Sequence, residues 1–326
     1  MTANPTRQPS IFLPHGGGPC FFMGWTWGPA GTWNATKHFL EGLVATLPAQ
    51  PKALLVISGH WEEPAFTASA VAKPALIFDY SGFPEHTYQL TWPAPGDPAL
   101  AEQVIGLLRK SGLPSAASFN RGFDHGVFVP LKVAFPAAQI PVVTLSLVQS
   151  LDPSLHIAAG RALATLRDEG VLIVASGMSF HNLRGYLHPE TPKRARAFDT
   201  WLTRAVESPS PERDSLLTNW REAPFAAYAH PREEHLMHPH GRCRSRRDGP
   251  GRAHLQRRTH GRCHQRLPLR RINHKTITDL SSGKRHRYRL HPRLCPSFML
   301  LFRRIAISPN SMLKSVRASC TKLSTP

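Results

Sequence analysis

Cysteine is almost missing from the first 236 of the 326 residues: Cys20 stands alone there, while Cys243, Cys263, Cys295 and Cys320 all come later. A single thiol excludes an internal disulfide framework in that region and fits a reducing, cytoplasmic setting. Long apolar runs are lacking as well. "SFMLLFRRIAI" is broken by two arginines and falls short of the ~20 residues that a membrane-spanning helix needs, so no membrane partner is expected. The opening "MTANPTRQPSIFLPHGGGP" has no apolar stretch of the secretory type, and no signal peptide is expected. "PHGGGP" itself lacks the Gly-Lys-Ser/Thr ending of a phosphate-binding loop. Its glycines read instead as room for backbone to approach a ligand.

Acidic residues are scarce too, but only locally. Residues 1–236 carry 18 Lys and Arg against 19 Asp and Glu, whereas the remaining 90 carry 22 against 2. The formal charge of +19 is therefore a property of the tail alone. An average of that size suggests a nucleic-acid partner. Its distribution confines such binding to a nonspecific, salt-sensitive grip of the tail on phosphate. The stretch "RCRSRRDGPGRAHLQRRTHGRCHQRLPLRRINHK" shows neither helical nor strand periodicity and holds too few apolar side chains to offset chain entropy. "HGRC" occurs twice there, yet the interval offers little beyond Leu255 to pack, which argues against a zinc module.

What is present is a regular alternation through residues 1–236. "SIFLP" (10–14), "KALLVISGH" (52–60), "IPVVTLSLV" (140–148) and "VLIVASGM" (171–178) read as strands, the last three apolar enough to be buried on both faces. Helical spacing covers 32–47, 98–112, 152–170, 192–207 and 212–228, with a further short apolar helix after Asp124. Strands alternating with helices predict one α/β domain over 1–236, a mostly parallel or mixed central sheet covered by helices on both faces. Residues 237–326 read as a disordered basic tail.

Histidines occupy the strand ends. His15 closes "IFLPH", His60 closes "LLVISGH", and His181 follows "VLIVASGMSF". In an open α/β sheet the carboxyl ends of the strands gather at one edge, where ligands bind, so three imidazoles delivered there can meet at a metal. Each taken alone is more often a hydrogen-bonded structural histidine. His125, in "RGFDHGVFVPLKVAFP", stands at a helix entry beside Asp124. That aspartate reads as a plain helix cap, and an exposed imidazole at a helix start could also exchange protons near pH 7. "HPREEHL" (230–236) is either a solvated charged turn or a place where His235 or Glu234 completes a metal shell with Arg232 facing an anionic substrate. Trp61, Tyr88 and Trp92 are candidates for a substrate wall and equally for core packing.

Taken together, "FLPHGGGPCFF", "ISGHWEE", "YSGFPEHTYQLTWPAPGDPALA", "RGFDHGVFVPLKVAFP", "VASGMSFHNLR" and "HPREEHL" resemble the class III extradiol ring-cleavage dioxygenases, in particular the 4,5-DOPA dioxygenase type, over Ile11 to Leu236. The resemblance implies an α/β enzyme that opens a small catechol with O2 at one divalent metal ion, Zn(2+) or Fe(2+). It places His15, His60 and His181 at the metal, with His235 as a further ligand or close neighbour, and makes His125 the acid/base. Glu234 is the substitute ligand if the chain follows the branch that uses two histidines and a glutamate.

After Leu236 the resemblance stops, where the family continues with a helical segment and a last strand. The Arg, Pro, His, Cys and Ser composition is what a GC-rich gene encodes out of frame, and we expect a frame change near codon 237. An uncovered helix site exposing a few hundred Å2 would cost about 25 cal/mol per Å2, comparable with the stability of a domain. Resequencing is expected to find the shift. An uninterrupted frame, with this tail seen by mass spectrometry of the native protein, would refute it.

Overall fold

The computed structural model describes residues 6–237; the expected disordered tail lies outside the described residues. Six strands form one sheet: β1 (Ser10–Pro14), β2 (Ala53–Glu63), β3 (Phe66–Ser69), β4 (Ser115–Ser118), β5 (Val142–Val148) and β6 (Val171–Gly177), in the order β1-β6-β2-β5-β3-β4. Every pair is parallel except β3 with β5, so the sheet is mixed.

The strand residues sort by parity onto two cores. Leu54 and Val56 of β2 and Leu172 and Val174 of β6 face one side, with α1 (Asn34–Glu41) and α3 (His125–Ala134). Leu55, Ile57, Ile173, Val143 and Leu145 face the other. That side is covered by α2 (Pro98–Lys110), α4 (Pro153–Leu163), α5 (Thr191–Glu207), α6 (Ser210–Thr218) and α7 (Ala226–Ala229). The continuous apolar runs of β2, β5 and β6 follow from this: both faces of these strands are dry.

Helix starts are set locally. Asp97 accepts from Leu100 N at 2.9 Å and Asp152 from Ser154 N at 2.7 Å, each followed by a proline that has no amide proton to leave unpaired. The helix expected over 152–170 ends at Leu163 and tightens into a 3-10 turn closed by Gly170 in the left-handed region (φ 90°). The helix expected over 212–228 is broken into α6, a 3-10 turn and α7. Pro224 cannot continue it, and Phe225 turns left-handed (φ 60°). The expected 32–47 helix likewise stops at Glu41, before Gly42. β3 and β4, made of "FTAS" and "SAAS", carried no apolar run by which to be read.

Among the described residues no helix is long and apolar enough to cross a membrane.

Leu55 is fully buried at the centre of β2. Leu55→Ala is expected to cost about 2–5 kcal/mol, read as a lowered urea midpoint. Phe119→Ala, at a side chain 79% exposed, is expected to stay within about 0.5 kcal/mol of the parent.

Candidate active site

Three parallel strands bring the first imidazoles together. His15 follows β1 directly, and its amide donates to Gly177 O at the end of β6 (3.3 Å). His60 does not close β2, as expected, but lies inside it. The strand runs on to Glu63, and its register with β5 slips between Ile57 and Glu62. Such an irregularity re-aims side chains, and it turns the His60 ring toward His15. His125 opens α3, and Gly126 behind it leaves the room that His60 needs: a Cβ there would stand 2.9 Å from His60 Cδ2. The last segment crosses the strand ends, with Met178 N donating to His235 O (3.2 Å) and His181 N to Ala229 O (2.9 Å).

The result is a contiguous group of five rings. His15 lies 4.9 Å from His60, 5.1 Å from His235 and 5.5 Å from His125, centroid to centroid. His60 and His125 are 4.0 Å apart. His181 stacks on His235 at 3.5 Å. Donor atoms of His15, His60 and His235 all fall within 4.8 Å of one another, whereas His181 falls in a second group with Glu234 and His235.

Each Nδ1 faces an oxygen. Glu234 Oε1 takes His235 Nδ1 at 2.8 Å and His181 Nδ1 at 3.1 Å. Asp79 Oδ1 takes His125 Nδ1 at 2.8 Å, and its Oδ2 lies 3.4 Å from His60 Nδ1. His15 Nδ1 meets Ser176 Oγ at 3.1 Å. The Ser176 hydroxyl donates to Gly126 O, so it accepts from His15. That carbonyl is available because the residue four further on, Pro130, has no amide proton for the helix. Carboxylates only accept. For His15, His125, His181 and His235 the protons therefore sit on Nδ1 and the lone pairs on Nε2, while His60 Nδ1 is only within ion-pair range of Asp79.

His15 Nε2 and His60 Nε2 lie 3.3 Å apart. His235 Nε2 is buried with no hydrogen-bond partner. A proton or a metal ion can bridge His15 Nε2 and His60 Nε2, and about 3.3 Å is also the edge of a tetrahedron with metal–nitrogen bonds of about 2.0–2.1 Å. The donor set fits a divalent ion of nitrogen-binding type.

The electrostatics agree. Burial first, and then the neighbouring rings, hold His15 and His60 well below the ordinary histidine range. Burial also lowers His235, against the pull of Glu234. For Glu234 burial acts upward, but the bonds from His181 and His235 outweigh it and keep it far below the usual carboxylate range. Asp79 is likewise raised by burial and more strongly lowered by His125 and His60, to about 2. The lowered imidazoles of His15, His60 and His235 beside two anionic carboxylates make a cradle for a cation.

The structure also shows what the sequence left out. Asp79 was not singled out; the only hint was its place just ahead of "YSGFPEHTYQ". Asp124 occupies the cap position of α3 but its side chain does not cap. It is fully buried on Ser58 Oγ (2.7 Å) and Arg121 (2.7 Å) instead, and burial raises its pKa. Arg232 is held by Glu62 through two bonds of 2.5 Å. Trp61 and Trp92 are buried, bonded to Glu63 and to Phe135 O. Tyr88 packs with Tyr80 and Phe78, and Tyr80 stands 5.9 Å from His125.

Comparison with known proteins decides the family. A model described as the catalytic LigB subunit of aromatic ring-opening dioxygenase matches residues 10–240. The chain belongs to the LigB family. The LigB chain is 37% identical over 244 residues to dioxygenase tasH of Hapsidospora irregularis, covering 70% of this chain and 75% of that one. It is 39% identical over 213 residues to the 4,5-DOPA dioxygenase extradiol of Beta vulgaris (63% and 77% covered). With the Escherichia coli K12 protein of that same name it shares 33% over 238 residues (71% and 83%). A crystal structure of an uncharacterised Escherichia coli K12 protein superposes with a TM-score of 0.56 at 30% identity, over 72% of this chain and 88% of that one. This chain is thus an aromatic ring-opening dioxygenase by family, and its class uses a metal, O2 and a catechol-like substrate.

His230, fully buried between Phe198 and Trp220, donates from Nε2 to Ser179 O and leaves Nδ1 without a partner. Burial drops its pKa to about 4. An unfolded histidine titrates near 6.5, so as pH falls below that value the unfolded chain takes up a proton that the folded chain refuses. Stability present above pH 6.5 is lost toward pH 4. His230→Leu is expected to remove about 2 kcal/mol of the difference between pH 7.5 and pH 5, read from thermal unfolding at both values. An unchanged difference would show that His230 does not carry it.

Proposed function

We propose that this chain is a metal-dependent extradiol dioxygenase that opens the ring of a small, DOPA-like catechol with O2. The observation that carries this reading is the convergence of His15, His60 and His235 donor atoms within 4.8 Å of one another, with Nδ1 of His15, His125, His181 and His235 held from outside by oxygens. The DOPA-type substrate is suggested by the names of relatives from Beta vulgaris and Escherichia coli.

His15, His60 and His235 would hold the metal. His181 stands next to them, because two stacked rings direct their lone pairs side by side rather than toward one point. Bound Fe(2+) supplies a Lewis acid and an electron source for O2, whereas Zn(2+), with no accessible redox change, supplies the first alone. His125 is the proton carrier: with its Nδ1 proton on Asp79, its Nε2 takes a proton from a catechol hydroxyl and returns it to an oxygen of the opened ring. Tyr80 stands 5.9 Å from His125 and packs with Tyr88, which in turn packs with Phe78, so that aromatic surface lies beside the imidazole. A substrate carboxylate would reach Arg232 by displacing Glu62.

The catalytic domain is taken as residues 1–236 and the tail, 237–326, as an out-of-frame addition. A cytoplasmic setting rests on the free, buried Cys20. A nucleic-acid role has only the charge of the tail behind it and no counterpart in the family match.

The test is anaerobic ferrous loading of the purified chain, then O2 and a panel of catechols that includes DOPA, followed by the yellow absorbance of a ring-opened semialdehyde. His15→Ala is expected to lose both bound metal and colour. His125→Ala is expected to keep the metal and lose about 10²–10⁴-fold in rate. Colour that appears only after a family-like C-terminus is grafted behind Leu236 would assign the defect to the tail. Absence of colour in both chains overturns the reading.

A further inference from the structure

We propose that Asp79 is a positioning residue that fixes which nitrogen of His125 carries the proton and ties that ring to His60. The inference rests on the reading of His125 as the proton carrier.

One oxygen of Asp79 makes a fork. Oδ1 accepts from the backbone amide of His125 at 2.9 Å and from its ring Nδ1 at 2.8 Å. The backbone bond pins the first residue of α3, where Asp124, in the cap position, supplies no side-chain bond. The ring bond fixes rotation and tautomer at once, because a carboxylate oxygen can only accept and so draws the proton to Nδ1. The second oxygen, Oδ2, faces His60 Nδ1 at 3.4 Å. A single side chain thus spans two rings whose centroids are 4.0 Å apart, so neither can swing without disturbing the other's partner.

Asp79 is delivered by backbone geometry as well as by sequence. The segment before it runs beside the approach to α3, through a parallel bridge of Leu76 with Phe123 and bonds between Ile77 N and Phe123 O (2.7 Å) and Phe123 N and Ala75 O (2.8 Å). That approach is closed to any side chain at position 122: a Cβ on Gly122 would lie 2.1 Å from Ala75 O. The glycine of "RGFDHG" therefore lets the Asp79 strand segment lie against the helix start. A residue 46 positions away in sequence is held at hydrogen-bond distance from His125.

The direct readout is the tautomer. Ring 15N shifts of His125, assigned by the resonance lost in His125→Ala, are measured at alkaline pH in the metal-free chain. The parent is expected to show Nδ1–H with a bare Nε2. Asp79→Ala is expected to show a mixture or the opposite tautomer. Asp79→Asn, which keeps an acceptor oxygen and guards against a variant that fails to fold, is expected to retain the Nδ1–H form. In the ferrous-loaded chain, Asp79→Ala is expected to lower kcat about 10–100-fold with KM held within about 3-fold, and Asp79→Asn to recover part of kcat. An unchanged His125 tautomer in Asp79→Ala, or a kcat equal to the parent's, overturns the proposal. Should the parent open no catechol at all, the dioxygenase reading fails while the tautomer measurement still decides the role of Asp79.

Discussion

Imidazoles packed together disfavour one another's protonation, and gathering five of them in one place, three of them buried, is tolerable only if each ring has somewhere to put its N–H. Here that place is always an oxygen on the outer side: Glu234 for His181 and His235, Asp79 for His125 and His60, Ser176 for His15. An unpaired buried polar group costs about 1–3 kcal/mol, so the arrangement would be strongly unfavourable with the rings reversed. The same bonds that make the cluster compatible with folding leave its lone pairs facing inward. The convergence of the ring nitrogens and the stability of the fold are two readings of one set of hydrogen bonds.

That constraint reaches back into ordinary features of the chain. Pro130 inside α3 costs a helical bond, and the carbonyl it leaves vacant at Gly126 receives the Ser176 hydroxyl, which thereby becomes an acceptor for His15. A bend in the register of β2 turns His60 into the cluster. Asp124, buried on Ser58 and Arg121, holds the ground between that strand and α3, since Ser58 Oγ also accepts from His60 N at 3.2 Å. None of these residues bears on an ion directly, yet each fixes the direction in which a ring points.

Much of this was legible in the sequence, for physical reasons that also mark the limit. Strands buried on both faces leave unbroken apolar runs, so β2, β5 and β6 could be read, whereas "FTAS" and "SAAS" are too short and too small to announce an edge. The five histidines stood out because of their places next to strand ends and in distinctive motifs. Asp79 and Ser176 did not, because an aspartate before an aromatic and a serine at the end of an apolar strand are common everywhere. Their significance is created by contacts 46 and 161 residues away. The cap assigned to Asp124 was sound local logic, but its helix start is bonded from outside by Asp79, and tertiary structure prevailed over propensity.

The order of strands has one more consequence. β6, formed by residues 171–177, lies between β1 and β2 and pairs with both. A ribosome delivers His15 and His60 early, yet the two belong to strands that stay apart until the later one inserts between them, and His235 arrives at the very end of the described chain. A nascent polypeptide of 150 residues would own two imidazoles of the triad without being able to bring them together. The cluster can be complete only once synthesis has passed the last histidine, and a change in the message downstream of that codon leaves every one of its members in place.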